Sequence, residues 1–159
     1  MTRRAGALDV LLAVALVAVV AVGALHLRRT HTTRVVADLE RTPGVVNPDV
    51  TQANIRSTIC RRGWTSTIRP PVSYTNELKR KQMREYGETG PLSGYQEDHL
   101  ISLELGGHPT DPRNLWPEPY PRASEVDAIE NELNAQVCDG SLTLTQAQQR
   151  EADLKHSDG

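Results

Sequence analysis

Sixteen consecutive residues, Val10 to Leu25, are drawn only from Val, Leu, Ala and Gly. No other feature narrows the possible folds of this chain as much. A run without a polar face cannot line one side of a small core, and a domain of the remaining length could hardly wrap it. A membrane-spanning helix needs about 20 mostly apolar residues, with roughly 17 as the lower limit. Widening the run to Ala7–Leu27 reaches that length but takes in Asp9 and His26. A secretory signal has a basic start, an apolar centre of roughly 7–15 residues and small residues at the cleavage site. Arg3 and Arg4 supply the start, and Val22-Gly23-Ala24 is a usable cleavage context. Residues 1–28 therefore read as one apolar helix, either a signal peptide or a transmembrane anchor. Arg28, Arg29 and Arg34 balance Arg3 and Arg4, so flanking charge does not orient the segment.

Residues 29–46 read as a polar linker with a little helix near Val35–Leu39, and residues 47–159 as one domain. About 115 residues is enough for a self-supporting core. There is no Phe, so that core rests on Leu, Ile, Val, Trp64 and Trp116, and it is too polar for a second membrane span. A core this thin benefits from a covalent staple. The two cysteines, Cys60 and Cys138, are too far apart for a CxxC zinc knuckle. Behind an export segment they read as a disulfide, which places the domain outside the cytoplasm. Two buried free thiols in a cytoplasmic domain are the other reading.

The net charge of −2 points to no partner. Its distribution says more. Arg56 to Arg84 holds eight Lys or Arg and one acid, whereas Glu85 to Asp139 holds twelve acids with Arg113 and Arg122. A basic half and an acidic half can form a phosphate-attracting face beside a metal-attracting site, or simply attract each other.

Local patterns give the elements. After Pro70-Pro71, Thr75 is placed to cap a basic helix from Asn76 to Tyr86, closed by Gly87. Tyr95–Leu105 reads as a strand turned by Gly106-Gly107. Asn114-Leu115-Trp116 is a second extended segment, ended by Pro117, Pro119 and Pro121. Ser124 with Asp127 resembles a capping box for a helix with an apolar stripe of Val126, Ile129, Leu133 and Val137, stopped at Gly140. Thr145 starts a last helix to Lys155, amphipathic through Leu144, Ala147 and Leu154.

Asp98-His99 on the first strand and Asn114 on the second could carry hydrolytic chemistry. Phosphodiester hydrolysis needs a base, usually His near neutral pH, and a hard divalent cation on the phosphate. Asp and Asn oxygens suit Mg²⁺ or Ca²⁺ rather than zinc. Neighbouring strand side chains point to opposite faces, so Asp98 and His99 share a site only where the strand bends, at a bulge or a tight Gly-Gly turn.

Asp98-His99-Leu100-Ile101, Leu103-Glu104-Leu105-Gly106-Gly107 and Asn114-Leu115, followed by a helix, resemble the core of the HNH, or His-Me finger, nucleases. That core is written D-H-I-x-P-x-x-x-G-G, then N-L, then a helix. Tyr95–Pro119 is also similar to small exported HNH-like proteins of actinobacterial type, in which N-L-W-P-E-P recurs. The specific motif covers Glu97–Pro119. The resemblance implies His99 as the base that activates water, with Asp98 and Asn114 holding one divalent metal, Mg²⁺ or else Mn²⁺ or Ca²⁺. Glu130 and Asn131 are candidates for the helix-borne contact. This chain departs from the pattern in three ways: Ser102 replaces the usual Pro, Val126 stands where a Lys is frequent, and the paired CxxC motifs are absent.

The reading at this level is an α+β domain, a β-hairpin plus helix of the ββα-metal kind with flanking helices, behind an N-terminal apolar helix. The expected function is metal-dependent endonucleolytic cleavage of DNA or RNA outside the cytoplasm. Arg61, Arg62, Lys79, Arg80 and Lys81 are the candidate backbone contacts, giving salt-sensitive binding with little sequence preference. The competing expectations are a non-catalytic nucleic-acid-binding module on the same scaffold and an envelope protein whose partner is another protein.

Overall fold

A two-stranded antiparallel sheet has helices packed against it. The computed structural model describes residues 35–159; the apolar segment and the start of the linker, residues 1–34, lie outside the described residues. The domain is α+β. Its regular elements are α1 (Trp64–Ile68), α2 (Val72–Glu85), β1 (Tyr95–His99), β2 (Leu115–Pro119), α3 (Arg122–Asp139) and α4 (Leu144–Ser157). No helix among the described residues is long and apolar enough to cross a membrane.

Residues 35–46 are not a linker. They belong to the same compact unit as the rest, Val35–Gly159, and form no helix. The Ala37 amide donates to the Lys155 carbonyl. Buried Thr42 pairs its hydroxyl with that of Tyr86 at 2.7 Å, and Val46 bridges Gly107. Its charged residues Glu40 and Arg41 stay exposed, while its backbone and Thr42 are tied to the fold.

β1 ends at His99, six residues earlier than the sequence suggests. The chain then bends into a 3-10 turn at Leu103–Leu105, whose apolar residues enter the core instead of continuing the ladder. β2, conversely, runs through Pro117 and Pro119. The register pairs Asp98 with Trp116 and His99 with Leu115. Leu100 donates to the Asn114 carbonyl and Tyr120 to the Gly94 carbonyl, so the hydrogen-bonded pairs are the even-numbered ones. Pro117 and Pro119 occupy the alternate positions, where a strand at the sheet edge needs no donor.

α2 begins at Val72 rather than Asn76, directly after Pro71, and has no side-chain cap. It buries Leu78, Lys79, Gln82 and Met83. α3 likewise starts at Arg122 behind Pro121 without a side-chain cap, so Ser124 is not one. Its buried stripe is the expected one, Val126, Leu133 and Val137, with Ile129 packed alongside. The capping box is instead at α4, where the Thr143 hydroxyl and Gln146 reciprocate. The buried face of α4 is Leu144, Ala147, Glu151 and Lys155, not one through Leu154.

The main apolar core gathers Val50, Ile55, Ile59, Ile101, Leu105, Leu133, Val137, Leu144 and Ala147. Cys60 and Cys138 are joined in a disulfide, with Cα atoms 5.6 Å apart, at the margin of this core. The bond ties the segment before α1 to the last turn of α3.

Candidate active site

Among the described residues, β1 pairs with β2 along one edge only. Four consecutive residues, Gln96, Glu97, Asp98 and His99, line a cleft of about 430 Å³ together with Arg69, Ser102, Glu104, Asp127, Glu130 and Asn131. The ladder is unbulged through His99, so the expected bend is not what unites Asp98 and His99. A cleft along a strand reaches the side chains of both of its faces.

His99 is buried, 5% exposed. Its Nε2 lies 3.0 Å from the Pro109 carbonyl oxygen. A carbonyl only accepts, so Nε2 carries the hydrogen and Nδ1 of the neutral ring is left with its lone pair. Burial is the largest influence on the ring and holds its pKa below the ordinary value, against the Pro109 hydrogen bond and Asp98. The imidazole is therefore neutral at pH 7 and able to accept a proton.

Asp98, Asp127 and Glu130 bring one carboxylate oxygen each within 4.8 Å of one another. Asp127 and Glu130 are one helical turn apart on α3, which puts them on one face, and β1 supplies Asp98. Gln96 Nε2 donates to Asp98 Oδ1 at 3.1 Å and reaches Asp127 Oδ1 at 3.5 Å. Three hard oxygens of this kind match Mg²⁺, Mn²⁺ or Ca²⁺.

A buried ammonium stands beside them. Lys155 Nζ, fully enclosed, lies 2.7 Å from Asp98 Oδ2, 2.6 Å from Glu130 Oε1 and 3.4 Å from Glu151 Oε1. It also donates to the His99 carbonyl oxygen at 2.5 Å. Burial alone would raise the Asp98 carboxyl. The Lys155 charge and hydrogen bonds from Glu118 and Lys155 outweigh it and hold Asp98 down at about 2. Burial and the neighbouring Asp98 charge push Glu118 up to about 9. Neither Glu118 oxygen meets a donor among the described residues, so the protonated carboxyl, donating to Asp98, is the favoured form. Burial likewise raises Glu130 and Glu151 against the pull of Lys155.

Glu97, on the other face of β1, has no hydrogen-bond partner among the described residues. Burial, only partly offset by Lys79, pushes it up to about 8. Its folded form thus keeps a proton that the unfolded chain releases near 4.5. The stability from this group is fully present below about pH 4.5 and is lost as pH rises through about 8. Glu97→Gln should therefore flatten the fall in stability between these values and gain on the native chain at pH 8.5. Urea unfolding in EDTA across pH 5–8.5 checks this, and parallel slopes for the two proteins would count against it.

Asn114 is not a metal ligand in this arrangement. Its side chain is wholly buried and all four of its bonding positions go to backbone. Oδ1 accepts from Val45 at 3.2 Å and Ile101 at 3.1 Å. Nδ2 donates to the carbonyls of Ile101 and His108 at 3.0 and 3.1 Å. It clasps the turn after β1 to residues 45 and 108 and leaves no lone pair for an ion. Gly107 lies under the same clasp, where a Cβ would fall 1.7 Å from the Ile101 oxygen. Asn114→Ala should lower stability by about 2–4 kcal/mol, from about 1 kcal/mol for each of several hydrogen bonds and the orphaned backbone groups. A urea midpoint unchanged from that of the native chain would refute the clasp.

The candidate phosphate contacts separate into three groups. Arg61 and Arg62 are exposed and line a groove with Glu104 and Asn131, residues that also line the His99 cleft. Arg80 and Lys81 line a different groove with Tyr74, Leu78 and Arg84. Lys79 is not available, since it is buried with Nζ donating to the Tyr95 carbonyl at 2.8 Å. Glu130 and Asn131 both line the His99 cleft as expected. The sequence reading missed Asp127, Arg69, Gln96, Glu97 and Lys155. For Asp127 and Lys155 a signal existed: two acids at i and i+3 on α3, and charged residues continuing the buried spacing of α4.

No protein-family model, curated protein or solved structure matches this chain.

Proposed function

We propose that this chain is a metal-dependent endonuclease of the HNH, or His-Me finger, class, acting on DNA or RNA outside the cytoplasm. The observation that carries this reading is the convergence of a tautomer-fixed, neutral His99 with the Asp98, Asp127 and Glu130 oxygens on one cleft. His99 Nδ1 takes a proton from the attacking water, and the positive charge gained by the ring is shared with the Pro109 carbonyl that holds Nε2–H. Asp98, Asp127 and Glu130 would hold one divalent ion, Mg²⁺ in the first instance. Such an ion supplies charge neutralisation on the scissile phosphate and the leaving oxygen. Arg69 at the cleft, with Arg61 and Arg62 in the adjoining groove, offers guanidinium contacts to backbone phosphates. The apolar run at residues 10–25 supports export, as a cleaved signal or a membrane anchor, and the Cys60–Cys138 disulfide fits that compartment.

The test is a nuclease assay on the oxidised full-length chain in mild detergent, with plasmid DNA and RNA, and Mg²⁺, Mn²⁺, Ca²⁺ or EDTA. Cutting should require the metal, and His99→Ala should slow it by about a hundredfold or more. A folded, oxidised sample that cuts neither substrate with any of these ions would overturn the proposal. One observation favours a second reading, a non-catalytic nucleic-acid-binding module: Lys155 already engages two of the three candidate ligands. Salt-dependent binding without cleavage would select it.

A further inference from the structure

We infer that Lys155 is a resident cation of the metal site, sharing Asp98 and Glu130 with the divalent ion and keeping the affinity for that ion low. The inference rests on the metal reading of the proposed function and adds a residue to it. Lys155 comes from α4, an element outside the hairpin-plus-helix motif. Its side chain has no exposure, so it cannot reach substrate. Its Nζ lies within 2.7 Å of both Asp98 Oδ2 and Glu130 Oε1, and these two residues are also two of the three whose oxygens converge for a cation. Each carboxylate has a second oxygen, and that of Asp98 keeps a lone pair beside the one it offers to Gln96 Nε2. One ammonium and one divalent ion can therefore be bridged by the same pair of side chains.

The electrostatic consequence has a definite sign. A fixed positive charge next to two of three ligands opposes a second cation, and a divalent ion feels that opposition twice over. The same ammonium, through the His99 carbonyl and Asp98, also holds the end of β1 in place without a metal. Lys155 is thus a positioning residue. The site is assembled before the ion arrives and releases it readily.

Glu151 allows the effect to be moved in both directions. It neighbours Lys155 at 3.4 Å and accepts from the Ser102 amide, but it is not one of the three converging ligands. Lys155→Met/Glu151→Gln removes one positive and one negative charge together, leaving Asp98 and Glu130 to the metal alone. Glu151→Gln by itself leaves Lys155 with fewer acids to share, so its charge falls more fully on Asp98 and Glu130. Mn²⁺ binding to the oxidised full-length chain in mild detergent, followed by titration calorimetry and by the paramagnetic signal of free Mn²⁺, reads both. Affinity should rise about tenfold or more in the double variant and fall several-fold in Glu151→Gln. Unchanged affinity in Glu151→Gln, or unchanged or weaker affinity in a folded double variant, would overturn the inference and leave Lys155 a purely structural cation. If the native chain and both variants bind no Mn²⁺, the metal reading itself fails, and that result is distinct from the preceding one.

Discussion

Lys155→Met is expected to lower the unfolding free energy by about 3–5 kcal/mol, the usual consequence of deleting one partner from a buried ion network. The ammonium is enclosed by Asp98, Glu130 and Glu151, all three of them buried. Without it, Asp98 loses the charge that holds it ionised, and the acids must take up protons or separate. A typical domain has only about 5–15 kcal/mol in total, so the variant should be close to unfolding at 37 °C. Adding Glu130→Gln and Glu151→Gln should restore much of the loss, because the desolvated charges then disappear together. Equilibrium urea unfolding at pH 7 in EDTA measures both. A single variant within about 1 kcal/mol of the native chain would mean that the network is far better hydrated than its geometry implies.

Reduction of the Cys60–Cys138 bond is the second large effect. The bond closes a loop with a sequence separation of 78. On the chain-entropy account, opening a loop of that length removes about 4–5 kcal/mol by freeing the unfolded chain. The loss should appear mainly as a lower urea midpoint with little change in the hairpin, since the bridge lies at the margin of the main core and neither cysteine belongs to β1 or β2. There is a functional corollary, because Cys60 and Cys138 line the same groove as Arg61 and Arg62. On the nuclease proposal, Cys60→Ala/Cys138→Ala should therefore weaken nucleic-acid binding as well as stability. Calorimetric unfolding with and without reductant gives the first quantity, and a salt-dependent binding titration gives the second. A midpoint that reductant does not move would show that the core holds without its staple.

How much was legible beforehand differs from residue to residue. His99 and Asp98 stand out in the sequence because a short contiguous motif carries them. The apolar stripe of α3 could be found because its spacing is the helical period. The end of β1 could not, since Leu100–Leu105 is as apolar as a continuing strand. What stops the strand is the Asn114 amide, bonded to Ile101 from 13 residues away. Asn114 itself was visible as a motif residue, but its role was not. An Asn side chain offers the same atoms to an ion as to a backbone, and only the neighbouring amides and carbonyls decide between them. Lys79 looked like part of a basic surface because helical position alone does not say which side of a basic helix packs on the hairpin.

By itself the sequence determined the things that depend on near neighbours in the chain. These are the apolar segment, the helix periods, the Gly-Gly turn, the two cysteines available for pairing and the Asp98-His99 pair. Tertiary structure alone decided which charges meet. Lys155 reaches Asp98 across 57 residues and Glu130 across 25, and Asp127 joins them from α3, one turn before Glu130. Electrostatic energy depends on distance and on the loss of water. Neither quantity is written in chain order until α3 and α4 close over the strand.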